Sequence, residues 1–125
     1  MKQIDVLIIE DSFFSADINI REIKKAGFIV QHQIVASRKA MQKALRGRQW
    51  DIIISDNQMP GFDALQALEV RNQEGCKAPF VIVSEDMLDN DIKIAMDEGC
   101  KAYISKEYLE RLGQQIKEIL EIPND

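Results

Sequence analysis

The chain has 125 residues, 46% hydrophobic and 30% charged, which is the profile of one ordinary globular domain and leaves no room for a second. Twenty-one Asp plus Glu against 16 Lys plus Arg give a formal net charge of -5, a field that repels phosphate backbones and argues against nucleic acid as a direct partner. The apolar runs fall far short of the roughly 18 residues a membrane span needs, and no signal-peptide pattern opens the chain, so a cytoplasmic protein without membrane contact is expected.

Five short apolar segments recur along the chain: Ile4 to Ile9, Phe28 to Val35, Ile52 to Ile54, Phe80 to Val83 and Ala102 to Ile104. Longer stretches of mixed polarity separate them, and this alternation predicts (βα)5. The first segment is a β-branched run without alternation (VLII), the pattern of a parallel strand covered on both faces. Ser12 then offers an N-cap for a first helix that Gly27 stops. The second segment alternates and carries Gln31, His32 and Gln33, which suits an edge strand with one wet face. With no partner motif nearby, His32 is read as structural. Ser37 and Gly47 bracket a second helix, and Trp50, just before the third segment, is expected to pack at the rim of the domain. The third and fourth segments (DIIIS, PFVIVS) again lack alternation and are expected beside the first as central strands. Later helices begin near Asp63, Asp89 and Leu109; Gly75 and Gly99 close two of them, and Pro79 stands at a strand start, where its missing N–H does least harm. Cys76 and Cys100 lie far apart without CxxC spacing and are read as structural free thiols. Right-handed crossovers leave few arrangements for five such strands. The expected fold is α/β, a doubly wound parallel sheet of strand order 2-1-3-4-5, in one domain over residues 1–125.

In that order the carboxyl ends of the first and third strands adjoin at the switch point, where open α/β sheets place their ligands. The first strand ends in Glu10-Asp11 and the third in Asp56, so three carboxylates converge. Singly, an Asp11 that caps a helix or an Asp56 that opens a polar loop would be ordinary. Together they repel, and a hard oxygen-liganded divalent ion, Mg²⁺ with several retained waters, relieves that repulsion. Asp51 enters the third strand at its opposite, amino end and is read as structural. Ser84 after the fourth strand and Lys106 after the fifth point into the same crevice, where they suit the oxygens of a phosphoryl group carried on Asp56.

With VLIIEDS, DIIISDNQMPGFDALQAL, PFVIVS and GCKAYISK in place, the chain resembles the response-regulator receiver domains of two-component signalling from end to end. It looks most like short stand-alone receivers that serve hybrid sensor kinases. The resemblance implies a flavodoxin-like fold with Glu10 and Asp11 as the acidic pair, Asp56 as phosphoacceptor, Ser84 as switch hydroxyl, Tyr103 as rotating aromatic and Lys106 as the site lysine. It implies a Mg²⁺ site at the acidic pair, with Asp11, Asp56 and the main-chain carbonyl of Gln58 as ligands, and it matches Met59-Pro60 to the loop after the phosphoacceptor. The implied function is Mg²⁺-dependent phosphoryl transfer from the phosphohistidine of a sensor histidine kinase to Asp56, switching a protein-binding surface. Such a domain catalyses its own transfer and autodephosphorylation and is a signalling module rather than an enzyme. The sequence does not name a downstream protein partner; with the chain ending at Ile122-Pro123-Asn124-Asp125 after the fifth helix, the signal is expected to leave by protein contact.

Three positions depart from the family pattern. Glu85 follows the switch hydroxyl where Ala or Gly is usual, Glu107 follows Lys106 where many receivers carry proline, and Ala64 replaces a frequent Gly. Glu85 favours one rival reading, a receiver-like docking module that works without phosphate. A second rival, a flavodoxin-like electron carrier, would need a Ser/Thr/Gly-rich phosphate cradle after the first strand, where Glu10-Asp11-Ser12 stands and repels phosphate.

Overall fold

The computed structural model describes residues 2–121; Met1 and residues 122–125, with the chain end after the fifth helix, lie outside the described residues. The elements run β1 (Gln3–Ile9), α1 (Phe13–Lys25), β2 (Ile29–Val35), α2 (Arg38–Gly47), β3 (Ile52–Ser55), α3 (Ala64–Gln73), β4 (Phe80–Ser84), α4 (Asp89–Asp97), β5 (Ala102–Ser105) and α5 (Leu112–Ile119). All five strands are parallel, in the order β2-β1-β3-β4-β5 that the sequence predicts. Every residue of β3 and β4 is buried, whereas β2 exposes Gln31, His32 and Gln33 at the edge.

Successive strand side chains point to opposite faces, so the unbroken apolar runs feed two cores at once. Leu7, Ile9, Ile53, Phe80 and Ile82 pack under α2, α3 and α4 with Met41, Leu68 and Ala95. Val6, Ile8, Ile52, Ile54, Val81 and Val83 pack under α1 and α5 with Ile20, Ile23, Leu112 and Ile116. Each fully buried aliphatic side chain stabilises by about 1.5–3 kcal/mol, which makes the central strands the rigid base for the loops at their carboxyl ends. On the second face α5 presses so close to α1 that a Cβ on Gly113 would meet the Ala26 Cβ at 2.5 Å.

The helix starts follow their side chains. Ser12 Oγ accepts from the Ser15 N–H at 3.2 Å, and Ser37 Oγ from the Ala40 N–H at 3.2 Å. Asp63 and Gln66 form a reciprocal capping box at 2.9 Å each way. Among the described helices α4 and α5 start without a side-chain cap; α4 begins on the apolar Leu88, and of its residues Ala95 alone is fully buried. Helix α4 is the least anchored of the helices.

Two boundaries differ from expectation. Gly47 is the last residue of α2 rather than a stop beyond it, because Arg48 at once turns extended and lays its guanidinium over the Trp50 ring at 4.0 Å. Trp50 itself is buried and donates its Nε1–H to the Ala44 carbonyl at 3.0 Å. The fifth helix starts at Leu112 and not near Leu109: Lys106–Arg111 form a 3-10 segment, with Ser105 Oγ accepting from the Glu107 N–H at 3.3 Å and Tyr108 at φ -122, ψ 36 interrupting the α-helical ladder. Cys76 is half-buried, Cys100 buried, and both are free. Among the described residues no helix is long and apolar enough to cross a membrane.

Candidate functional site

The sheet ladder runs one residue past the ends of β1 and β3 and fixes the acids by backbone alone. The Glu10 N–H donates to the Val35 carbonyl at 2.9 Å, and the Asp56 N–H to the Ile9 carbonyl at 2.9 Å. The Ser12 N–H returns to Glu10 Oε1 at 3.1 Å, tying the first turn of α1 to the strand end and holding Asp11 between them. Carboxylate oxygens of Glu10, Asp11 and Asp56 then lie within 4.8 Å of one another. Asp56 Oδ1 accepts from the Asn57 N–H at 2.8 Å, and Lys106 Nζ stands 3.8 Å from the same oxygen. Ser84 closes β4 at this edge of the sheet, beside Ser105 of β5. Tyr103, half-buried on β5, donates its hydroxyl to the Ser84 carbonyl at 3.1 Å.

Sequence reasoning named Glu10, Asp11, Asp56 and Lys106, which meet here, and Ser84 and Tyr103, which the Tyr103 hydroxyl joins; Gln58 stands two residues past Asp56 on the loop to α3, with an exposed side chain, so its main-chain carbonyl is the group to consider. It missed the bond from Tyr103 to the Ser84 carbonyl and the Asn57 amide on Asp56, and no side-chain pattern signals either, since both depend on main-chain placement.

Burial differs sharply among the acids. Glu10 is 3% exposed and Asp56 9%, while Asp11 is open to solvent. Glu10 Oε2 and Ser84 Oγ are buried without a hydrogen-bond partner, an arrangement that costs about 1–3 kcal/mol per group unless a ligand satisfies it. Burial first, then the Asp56 charge, push the Glu10 carboxyl up from its ordinary 4.5 to about 7; a hydrogen bond with Asp11 adds to this, and the Ser12 N–H and Lys106 oppose it.

A divalent ion fits this donor set, which is all hard oxygen with no sulfur or imidazole. Oxygens on opposite sides of a Mg²⁺ ion sit about 4.2 Å apart, so a cluster within 4.8 Å needs little closure to share one ion, with waters filling the rest of the octahedron.

The shifted Glu10 predicts a pH dependence. The folded state binds this proton more tightly than the unfolded chain, so the stabilisation is complete below about pH 4.5 and is lost as pH rises to about 7. In chelator, the thermal midpoint is expected to fall over that window, by the equivalent of about 1–3 kcal/mol, and Glu10→Gln to flatten the profile. Were Mg²⁺ bound at this cluster the sign would reverse, because the ion would compete with the proton, and its affinity is then expected to rise with pH up to about 7.

The sequence pattern of the response regulator receiver domain matches residues 6–117. The chain belongs to the receiver-domain family. A curated relative, hybrid signal transduction histidine kinase G of Dictyostelium discoideum, is 28% identical over 108 residues, which cover 84% of this chain and 3% of that kinase. This receiver therefore spans a small fraction of its relative's length. Among solved structures, the signal receiver domain of the response regulator NarL from Mycobacterium tuberculosis superposes with a TM-score of 0.82 at 14% identity, covering 98% of this chain and 100% of that one. The receiver domain of sensor histidine kinase PA1611 from Pseudomonas aeruginosa superposes with a TM-score of 0.76 at 18% identity, over 95% and 98% of the two chains, and has a magnesium ion coordinated in its active-site cleft.

The departures from the receiver pattern take concrete form. Glu85 is exposed directly after Ser84, the Lys106–Glu107 peptide bond is trans, and Ala64 is the first residue of α3 and fully buried, a helical position that requires no glycine.

Proposed function

We propose that this receiver takes a phosphoryl group onto Asp56 from the phosphohistidine of a sensor histidine kinase, with Glu10, Asp11, Asp56 and the Gln58 carbonyl holding or flanking Mg²⁺. The observation that carries this reading is the convergence of three carboxylates within 4.8 Å, with Lys106 Nζ 3.8 Å from Asp56 and the unpartnered Ser84 hydroxyl at the same edge. A carboxylate oxygen of Asp56 attacks phosphorus in line; the new O–P bond forms as the P–N bond breaks, and the leaving imidazole keeps the electron pair and takes up a proton. Mg²⁺ supplies neutralisation of the charge on the transferred oxygens. Lys106 Nζ and Ser84 Oγ–H donate to those oxygens, which meets the unfilled capacity of Ser84. The acyl phosphate brings about -1.5 to -2 charge, and movement of Ser84 toward it pulls on the carbonyl that Tyr103 holds, coupling Asp56 to the β4–β5 surface. Water attack on the same phosphorus returns the domain to rest by autodephosphorylation.

In this reading residues 1–125 act as one cytoplasmic signalling domain that passes its state on by protein contact, with no role on nucleic acid or membrane. Incubation with acetyl phosphate and Mg²⁺ followed by intact mass measurement tests it: one added phosphoryl group is the expected result. A chain that stays unmodified with small-molecule donors, Mg²⁺ and a cognate kinase would instead be a phosphate-independent docking module.

Glu85 sets a smaller effect. Its exposed carboxylate directly follows Ser84, a position from which it would oppose incoming anions. Glu85→Ala is expected to speed acetyl-phosphate labelling severalfold at low ionic strength and to strengthen beryllofluoride binding, with less effect on transfer from a docked kinase, whose interface already overcomes the repulsion. Equal labelling rates for variant and wild type at every salt concentration would show that Glu85 does not act on the donor.

A further inference from the structure

The net charge of the chain is concentrated in one place. Residues 85–98 hold six acids, Glu85, Asp86, Asp89, Asp91, Asp97 and Glu98, against Lys93, a balance of -5 that equals the charge of the whole chain. None of the six pairs with a cation among the described residues. This segment contains α4, which starts on the apolar Leu88 with no side-chain cap and has a single fully buried residue, Ala95.

Between α3 and α4 runs an open groove of about 310 Å³. Its apolar lining is Leu65, Leu68 and Ile94, the last 41% exposed, and its rim carries Glu69 and Glu98. Asp91 and Glu98, three residues before and four after Ile94, share its face of α4, whereas Lys93 does not line the groove. The neighbouring Arg71 is committed elsewhere, donating to the Ala78 carbonyl and to Asn72 Oδ1. Glu69 Oε1 accepts from Gln73 Nε2 at 3.3 Å, but neither Glu69 nor Glu98 meets a cation among the described residues, and an apolar floor between two such acids is complementary to one kind of surface, an amphipathic helix with an aliphatic stripe flanked by lysines or arginines.

We propose that the α3–α4 groove is a docking site for a basic amphipathic helix of a partner protein, which is the downstream partner if the receiver reading above holds. The apolar stripe enters between Leu65 and Ile94 while basic side chains meet Glu69 and Glu98. The acidic segment around them attracts the partner at long range and excludes acidic competitors.

The test uses the whole unphosphorylated chain and two synthetic helical peptides with leucine at i, i+3, i+4 and i+7, one with lysine and the other with glutamate at the remaining positions. Backbone amide shifts are followed by NMR, and phosphoryl uptake by the same samples is read separately by mass, so failure of the groove and failure of the receiver reading are distinguishable. The expected result is saturable binding of the lysine peptide, with shifts clustered at Leu65, Leu68, Ile94 and Glu98, and no binding of the glutamate peptide. Glu69→Lys with Glu98→Lys is expected to weaken binding at least tenfold, and Ile94→Ser at least fivefold with no change of charge. Shifts centred on another face, or binding indifferent to Ile94→Ser, would overturn the proposal by reducing the effect to diffuse charge attraction. Concentration-dependent shifts of the same residues without peptide would overturn it in favour of a second copy of this chain.

Discussion

Asp56→Asn is expected to take up no phosphoryl group from acetyl phosphate or from a kinase, under conditions in which the wild type gains one. An amide does not provide the carboxylate oxygen that becomes the acyl phosphate, and the neighbouring acids do not substitute for it: Glu10 is buried, and Asp11 stands in the solvent-facing part of the cluster. The same substitution is expected to stabilise the metal-free protein at neutral pH by on the order of 1 kcal/mol, because the Asp56 charge is the second cause of the raised Glu10 pKa and its removal relieves that repulsion. The lost attraction to Lys106, at 3.8 Å with both side chains largely buried, opposes this gain in part. Loss of labelling together with a higher thermal midpoint in chelator distinguishes this account from simple misfolding. A variant that still gains one phosphoryl mass would move the acceptor to another residue.

Mg²⁺ is expected to raise the thermal midpoint of the wild type markedly. An ion that binds only the folded state stabilises it by about 2.7 kcal/mol at one hundred times its dissociation constant, worth several degrees for a domain of this size. Asp11→Asn is expected to remove most of that rise, since Asp11 is the exposed member of the cluster and supplies its carboxylate without a desolvation penalty. Thermal melts at fixed pH with graded Mg²⁺ check this. An unchanged response in Asp11→Asn would exclude Asp11 from the ligand set.

The parts of the fold that rest on local rules were legible in the sequence. The unbroken runs of β3 and β4 and the polar Gln31, His32 and Gln33 of β2 gave central and edge strands directly, because a strand covered on both faces has no place for such a polar stretch. Ser12, Ser37 and Asp63 marked helix starts for the same reason, each side chain satisfying a free amide of the first turn. Gly47 and the start of α5 were misplaced because tertiary contacts decided them: the stacking of Arg48 on Trp50 ends α2, and the 3-10 turn built on Ser105 delays α5.

At the site, the acids could be placed together from topology alone, since strand order brings the ends of β1 and β3 side by side. Their inequality could not. The burial of Glu10 against the exposure of Asp11, two adjacent carboxylates in sequence, depends on how α1 leaves the strand, and that difference gives one a pKa of about 7 while leaving the other open to solvent. Nor could the α3–α4 groove be read from α4, whose apolar residues serve the core and the surface in turn.

Locating the modification decides whether Asp56 carries the phosphoryl group. Labelling with acetyl phosphate and Mg²⁺, reduction of the acyl phosphate with borohydride, and peptide mass mapping report the residue itself. Conversion of Asp56 alone to homoserine is the expected result, dependent on Mg²⁺ and absent when labelling is omitted. Reduction at Glu10, Asp11 or any other position, with Asp56 unchanged, would contradict it.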